Sequence, residues 1–166
     1  MKIAFTMTEG KGDLDQVLFQ FATTQEAAGR KVCGVVQVNT DRADCVKCDM
    51  DVRVMPEGPT IRISQDLGKE SRGCRLDVGA LETAVVAVEK QISQDAELLV
   101  INKFGKHEAG GRGFRNAIGQ ALELGVPVVC GVNALNRQAF EDFCGGAAVF
   151  VEPDPKALSD WFASRP

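Results

Sequence analysis

The sequence predicts an α/β fold of three layers: a mostly parallel sheet between helices, with an inserted β-hairpin. Three observations point there. Continuous apolar runs recur at Lys2–Thr6, Val32–Val36, Glu97–Asn102 and "GVPVVCGVN". Strands that are apolar on both faces belong to parallel sheets covered on both sides. Segments of helical spacing separate these runs. One segment, "DVRVMPEGPTIRIS", breaks the rhythm by alternating apolar and polar residues around a Pro-Glu-Gly-Pro turn.

Taken in order, Lys2–Thr6 reads as a buried strand. Asp13 is a helix cap, after which Leu14, Val17, Leu18 and Phe21 repeat at helical spacing until Gly29 ends the helix. Val32–Val36 is the second strand. The hairpin occupies about 51–64, with Val52, Val54, Ile61 and Ile63 on one face and Arg53 and Arg62 on the other. A loop, "DLGKESRGCR", leads to a helix marked by Val78, Leu81, Val85, Val88 and Ile92. The strand Glu97–Asn102, a glycine-rich loop, a helix over Gly113–Leu124 and the strand with Pro127 near its start follow. A helix over Ala134–Phe143, a short strand at Ala147–Val151 and a helix around Ala157–Phe162 close the pattern. The 166 residues fit one domain of ordinary size, with no repeat or linker.

The chain is 45% hydrophobic and 25% charged, with a net charge of −4. That balance argues against nucleic acid or an anionic membrane as the main partner. The first apolar run is too short for a secretory signal or a membrane span, so the expected location is the cytoplasm.

In open α/β sheets, ligands sit beyond the carboxyl ends of the strands. The first loop there, "TEGKGDLD", has the outline of a phosphate-binding loop without its chemistry. The pattern G-x-x-x-x-G-K-[ST] cradles phosphates on backbone N–H groups, and its hydroxyl holds magnesium. Here Gly10 and Lys11 are followed by Gly12, and Phe5 stands where the first glycine belongs. Asp13 and Asp15 lie in the first helical turn, where a phosphate needs positive potential. At ~4 Å and an effective dielectric near 20, each such charge pair costs about 4 kcal/mol before screening. Two readings stay open: a capped turn, or a loop for some other ligand.

The second loop, "NKFGKHEAGGRGFR", gathers Lys103, Lys106, His107, Arg112 and Arg115, with Glu108 the one carboxylate among them. Gly105, Gly110, Gly111 and Gly113 allow close backbone approach, and a helix begins at Gly113. Cations, glycines and a helix start together suit an anion. The alternative is a solvated basic loop. Asn102 stands at the strand end where a phosphate-hydrolysing enzyme wants a carboxylate. "NKFG" lacks the aspartate of a guanine-reading N-K-x-D. His107 is the only histidine, which excludes a histidine-rich metal centre. Arg72 and Arg75, beyond the hairpin, close the site if that segment folds back to the same rim.

Of six cysteines, Cys45 and Cys48 form a lone C-x-x-C, and Cys74 stands between Arg72 and Arg75, where positive neighbours favour the thiolate. A metal or redox role for Cys45, Cys48 and Cys74 is one reading and inert thiols the other. Cys33 and Cys130 belong to the core.

The stretches "CDMDVRV", "ISQDLGKESRGCRLD", "LLVINKFGKHEAGGRGFRNAI" and "ALELGVPVVCGVN" resemble a bacterial family of unknown function whose members are often encoded beside molybdate-transport genes. More distantly, the order of elements resembles the small nucleoside-triphosphatases of the P-loop class. Gly105 and Glu108 correspond to the glycine and last glutamate of their acidic-Ile-Gly-x-x-Glu run. Asn102 and Lys103 replace the acidic pair, and Gly12 replaces the hydroxyl residue of the phosphate loop. The resemblance implies a P-loop-NTPase-like fold and a link to molybdenum.

The expectation is therefore a non-hydrolytic or weakly hydrolytic binding or regulatory protein. It would hold a small anion, whether molybdate, phosphate or a nucleotide, at Lys103, Lys106, His107, Arg112, Arg115, Gly110, Gly111 and Gly113, with Arg72 and Arg75. The alternatives are a nucleotide-dependent hydrolase or transferase using Lys11, Lys103 and Glu108, and a cysteine-based metal or redox module. The sequence names no cofactor and allows a homo-oligomer.

Overall fold

The structure, a computed structural model, describes residues 1–9, 13–40, 49–65 and 75–164. Seven strands form one sheet in the order β4-β3-β2-β5-β6-β1-β7. The strands are β1 (Ile3–Thr6), β2 (Val32–Thr40), β3 (Asp49–Met55), β4 (Thr60–Arg62), β5 (Leu98–Phe104), β6 (Val128–Val132) and β7 (Val149–Phe150). The pairs β2–β5, β5–β6, β6–β1 and β1–β7 are parallel, and the pairs β2–β3 and β3–β4, the latter the hairpin, are antiparallel. The mostly parallel sheet that the apolar runs predict is the sheet observed.

Helices cover both faces, as the all-apolar strands require. On one side lie α1 (Asp13–Ala27) and α6 (Pro155–Ala163), packing Leu14, Leu18, Phe21, Ala22 and Leu158 on Ala4, Val32, Val36, Val100 and Val129. On the other, α2 (Val78–Gln91), α4 (Arg115–Glu123) and α5 (Arg137–Phe143) pack Leu81, Val85, Ile118 and Phe140 on Phe5, Val35, Ile101 and Cys130. Alternate strand residues thus feed the two cores, which is the period-2 geometry of a strand acting on both sides. Asp77 caps α2 by accepting from Ala80 N, and Asp154 caps α6 by accepting from Ala157 N, with Pro155 opening that helix.

The hairpin joins the sheet instead of standing apart. Asp49 to Met55 pair with Thr40 to Gly34, and this pairing carries β2 four residues beyond the Val36 expected. Val52, Val54 and Ile63 are buried in the second core, with Ile61 packed against them. Arg53 leaves by the opposite face and pairs with Glu26 of α1 at 3.0 Å. Because β4 is antiparallel to β3, it runs back to the carboxyl end of the parallel strands. There a bridge between Ser64 and Leu76 ties the returning chain. Elsewhere the helix expected over Ala134–Phe143 starts as a 3-10 turn (Ala134–Asn136), and a short helix, α3 (Lys106–Ala109), interrupts the glycine-rich loop. Among the described residues no helix is long and apolar enough to cross a membrane.

Candidate functional site

The carboxyl ends of β2 and β5 meet the first turn of α1. The inward stripe of α1 is Leu14, Asp15, Leu18, Phe21, Ala22 and Gln25, so helical spacing places one carboxylate in line with the apolar anchors. Asp15 is 8% exposed and Asn102, at the end of β5, 3%. Asn102 Nδ2 donates to Asp15 Oδ1 at 2.8 Å. Asn39 Nδ2 donates to Asp15 Oδ2 at 2.7 Å, and Gln37 Nε2 donates to the same oxygen at 3.3 Å and to Asn39 Oδ1 at 2.7 Å. The β2–β5 ladder stops at Val35 and Ile101. Beyond it, the Asn102 side chain replaces the ladder by accepting the Gln37 N–H at 3.0 Å. A buried carboxylate needs such donors, and three amides supply them. Asp13, in the same turn, is exposed. Thr6 Oγ1, buried at the end of β1, finds no hydrogen-bond partner among the described residues.

The loop after β5 is shaped from within. Lys103 is exposed, Phe104 returns to the core, and Glu108, in α3, is 4% exposed. Its Oε2 accepts the Gly105 N–H at 2.9 Å and its Oε1 the Phe114 N–H at 3.1 Å. Gly113 has φ +60°, and a Cβ there would sit 2.1 Å from Glu108 Oε1. Both facts require glycine at this position. Gly110 ends α3 and Gly111 turns the chain outward. Arg115 is half-buried: its guanidinium lies 4.4 Å from the centre of the Phe143 ring, and Nη1 donates to the Glu108 carbonyl at 3.3 Å. Lys106 and Arg112 are exposed and His107 is half-buried. Among the described residues the side chains of Lys103, Lys106 and Arg112 make no ion pair or hydrogen bond.

Arg75 lies at the same end of the sheet, on the returning chain. Its Nη2 is 3.8 Å from Asp49 Oδ1, and its Nε donates to the Gln65 carbonyl at 3.4 Å. Asp49 also takes Arg62 at 3.0 Å. Two strand spacings, roughly 10 Å, separate β3 from β5. Gly10, Lys11, Gly12, Arg72, Cys45, Cys48 and Cys74 lie outside the described residues. Cys33, Cys130 and Cys144 are free and buried. Burial pushes the Cys144 thiol up to about 11 and raises Cys130 well above the usual thiol range. Among the described residues no group of three or more His, Cys, Asp or Glu could hold a metal ion.

Reasoning from sequence did not find Gln37 and Asn39, although a Q-x-N following an apolar strand is a visible signal. The sequence shows Glu108 only as the one carboxylate among the cations of the loop, without its inward direction. The Gly105, Glu108, Gly113 spacing hints at an inward carboxylate only once the loop is closed.

Residues 3–161 match the family described as "Protein of unknown function (DUF2478)". Over 161 residues the chain is 34% identical to "Molybdenum import ATP-binding protein ModC 2" of Bradyrhizobium diazoefficiens, covering 97% of this chain but only 18% of that protein. Two solved structures share the fold. THEP1 from the hyperthermophile Aquifex aeolicus superposes with a TM-score of 0.62 at 18% identity, over 98% of this chain and 95% of that one. A human cancer-related nucleoside triphosphatase superposes with a TM-score of 0.67 at 16% identity, over the full length of both. The fold is therefore P-loop-NTPase-like, and the chain belongs to the DUF2478 family.

Proposed function

We propose that this chain is a binding or regulatory protein that holds a small oxyanion or a phosphorylated small molecule at the loop between β5 and α4, with little or no hydrolysis. The observation that carries this reading is the tethered Asp15 carboxylate. A P-loop enzyme needs the start of its first helix free to receive phosphate. Here that turn carries Asp13 and Asp15, and Asp15 is tied to Gln37, Asn39 and Asn102. Asn102 offers an amide where magnesium would ask for a carboxylate. The uncommitted cations stand at the end of β5, as Lys103, and on the loop that follows, as Lys106 and Arg112. Gly110 and Gly111 give backbone access beside them. On this reading Arg75 flanks the rim from the hairpin side.

The fold supports nucleotide or anion binding in general, and the molybdenum-import relative makes molybdate the first oxyanion to test. Isothermal titration with molybdate, sulfate, ATP and GTP tests the reading. We expect heat with an oxyanion and at least about a tenfold loss of affinity in Lys103→Ala or Arg112→Ala, since each removes one charge-assisted contact. No heat with any of the four removes the reading. The nucleoside-triphosphatase fold favours one rival, a hydrolase or transferase using Lys11, Lys103 and Glu108. Phosphate release from magnesium-ATP, abolished by Lys103→Ala, would install it instead.

A further inference from the structure

We propose that Glu108 is a positioning residue of this rim. Its buried carboxylate accepts the Gly105 and Phe114 N–H groups and so closes the loop bearing Lys106 and Arg112, next to Lys103 at the end of β5, into one shape. The inference rests on the reading of that loop as an anion site. The two N–H groups lie at opposite ends of the loop, at 2.9 and 3.1 Å from the two oxygens of one side chain. Gly113 leaves the space that the carboxylate fills, and Arg115 holds the Glu108 carbonyl while stacking on Phe143. A single glutamate thus ties the loop to itself and, through Arg115, to α5. The same geometry takes Glu108 away from acid–base work. A general base must reach the proton it abstracts, and this carboxylate is 4% exposed with both oxygens engaged. Turned inward, it also leaves the outward side of the loop to Lys103, Lys106 and Arg112.

The test uses the full chain, read by amide hydrogen exchange and by titration with molybdate and sulfate. Glutamine has one acceptor oxygen and a donor in place of the other, so Glu108→Gln keeps at most one of the two bonds. The expected result is about tenfold faster exchange at Gly105 or Phe114 with Val129, in the core strand β6, unchanged, and about tenfold weaker binding of the oxyanion. Glu108→Asp, a carboxylate one methylene shorter, should reach only one end of the loop and serves if the glutamine variant does not fold. Both amides remaining protected overturns the bridging role. Amide protection lost while affinity holds overturns the positioning role alone. Failure of the wild-type chain to bind either oxyanion overturns the anion site and the positioning role together, while the exchange data still report whether the bridge exists.

Discussion

Replacing Asn102 by leucine tests the polar cluster at the rim most directly, because the change keeps the branched outline of the side chain and removes both bonds. Asn102 Nδ2 donates to Asp15 Oδ1 at 2.8 Å, and Asn102 Oδ1 accepts from Gln37 N at 3.0 Å. Losing a hydrogen bond to a charged group costs about 1.5–3 kcal/mol, and leaving a buried N–H unpaired costs about 1–3 kcal/mol. Leucine returns only a little by burying more apolar surface. We expect Asn102→Leu to destabilise by about 3–5 kcal/mol. In urea, with a slope of about 1–3 kcal/mol/M, that is a midpoint shift of at least about 1 M at unchanged slope. In an Asp15→Ala background the same replacement should cost about 2 kcal/mol less, because the carboxylate that Asn102 serves is gone. A cost below about 1 kcal/mol, or an equal cost in both backgrounds, would show that the cluster is solvated and that its hydrogen bonds contribute little.

Three further outcomes are expected. Gly131 lies beside Asn102, and a Cβ there would meet the Asn102 carbonyl oxygen at 2.1 Å and Leu18 Cδ1 at 2.8 Å. Gly131→Ala should therefore cost about 3 kcal/mol by overpacking, read as a lower thermal midpoint. The Lys31 ammonium and then the Ser93 hydroxyl, by hydrogen bonding, hold the Asp95 carboxyl at about 2 against 3.8. Its folded pKa is below its unfolded one, so its contribution is present above about pH 4 and is lost as pH falls through about 2. The group is fully exposed, so the contribution should be small and shrink with salt. Carboxyl NMR should show Lys31→Met moving the titration back up. Finally, burial raises the Cys33, Cys130 and Cys144 thiols. Mapped alkylation at pH 8 should leave these three unmodified in the native chain and label them in denaturant; prompt native labelling of Cys144 would contradict the burial.

The strands and their faces were legible because local chemistry decides them. Ile3–Thr6 is buried throughout, and a short run that is apolar on both faces fits a covered parallel sheet. The hairpin was legible because alternation and a Pro-Glu-Gly-Pro turn are short-range signals, and Arg53 and Arg62 do leave the face of Val52 and Val54. The extension of β2 to Thr40 was not, because only pairing with β3, a contact between separated segments, makes Gln37-Val-Asn39 a strand. Helix α3 hid behind its glycines. The direction of a loop side chain is likewise settled by what folds beside it. Arg115 reads as a ligand cation until Phe143 arrives under its guanidinium, and Glu108 reads as a stray carboxylate until Gly105 and Phe114 converge on it.

These directions bear on how a chain of net charge −4 could attract an anion. Three carboxylates near this end of the sheet are turned inward and matched. Asp15 meets three amides, Glu108 meets two backbone N–H groups, and Asp49, 6% exposed, meets Arg62 and Arg75. Asp49 is neutralised by its arginines, whereas Asp15 and Glu108 keep their charge but turn it away from the surface where Lys103, Lys106 and Arg112 stand. Exposed charges act over about a Debye length, so the field an approaching ion feels is set by these outward groups more than by the total. The same arrangement is poorly suited to magnesium, which asks for carboxylate oxygens presented outward with room for water. If the rim binds an oxyanion, binding should therefore weaken steeply with salt and proceed without a divalent cation. Salt-independent binding, or binding that requires magnesium, would mean that the outward cations are not what holds the ligand.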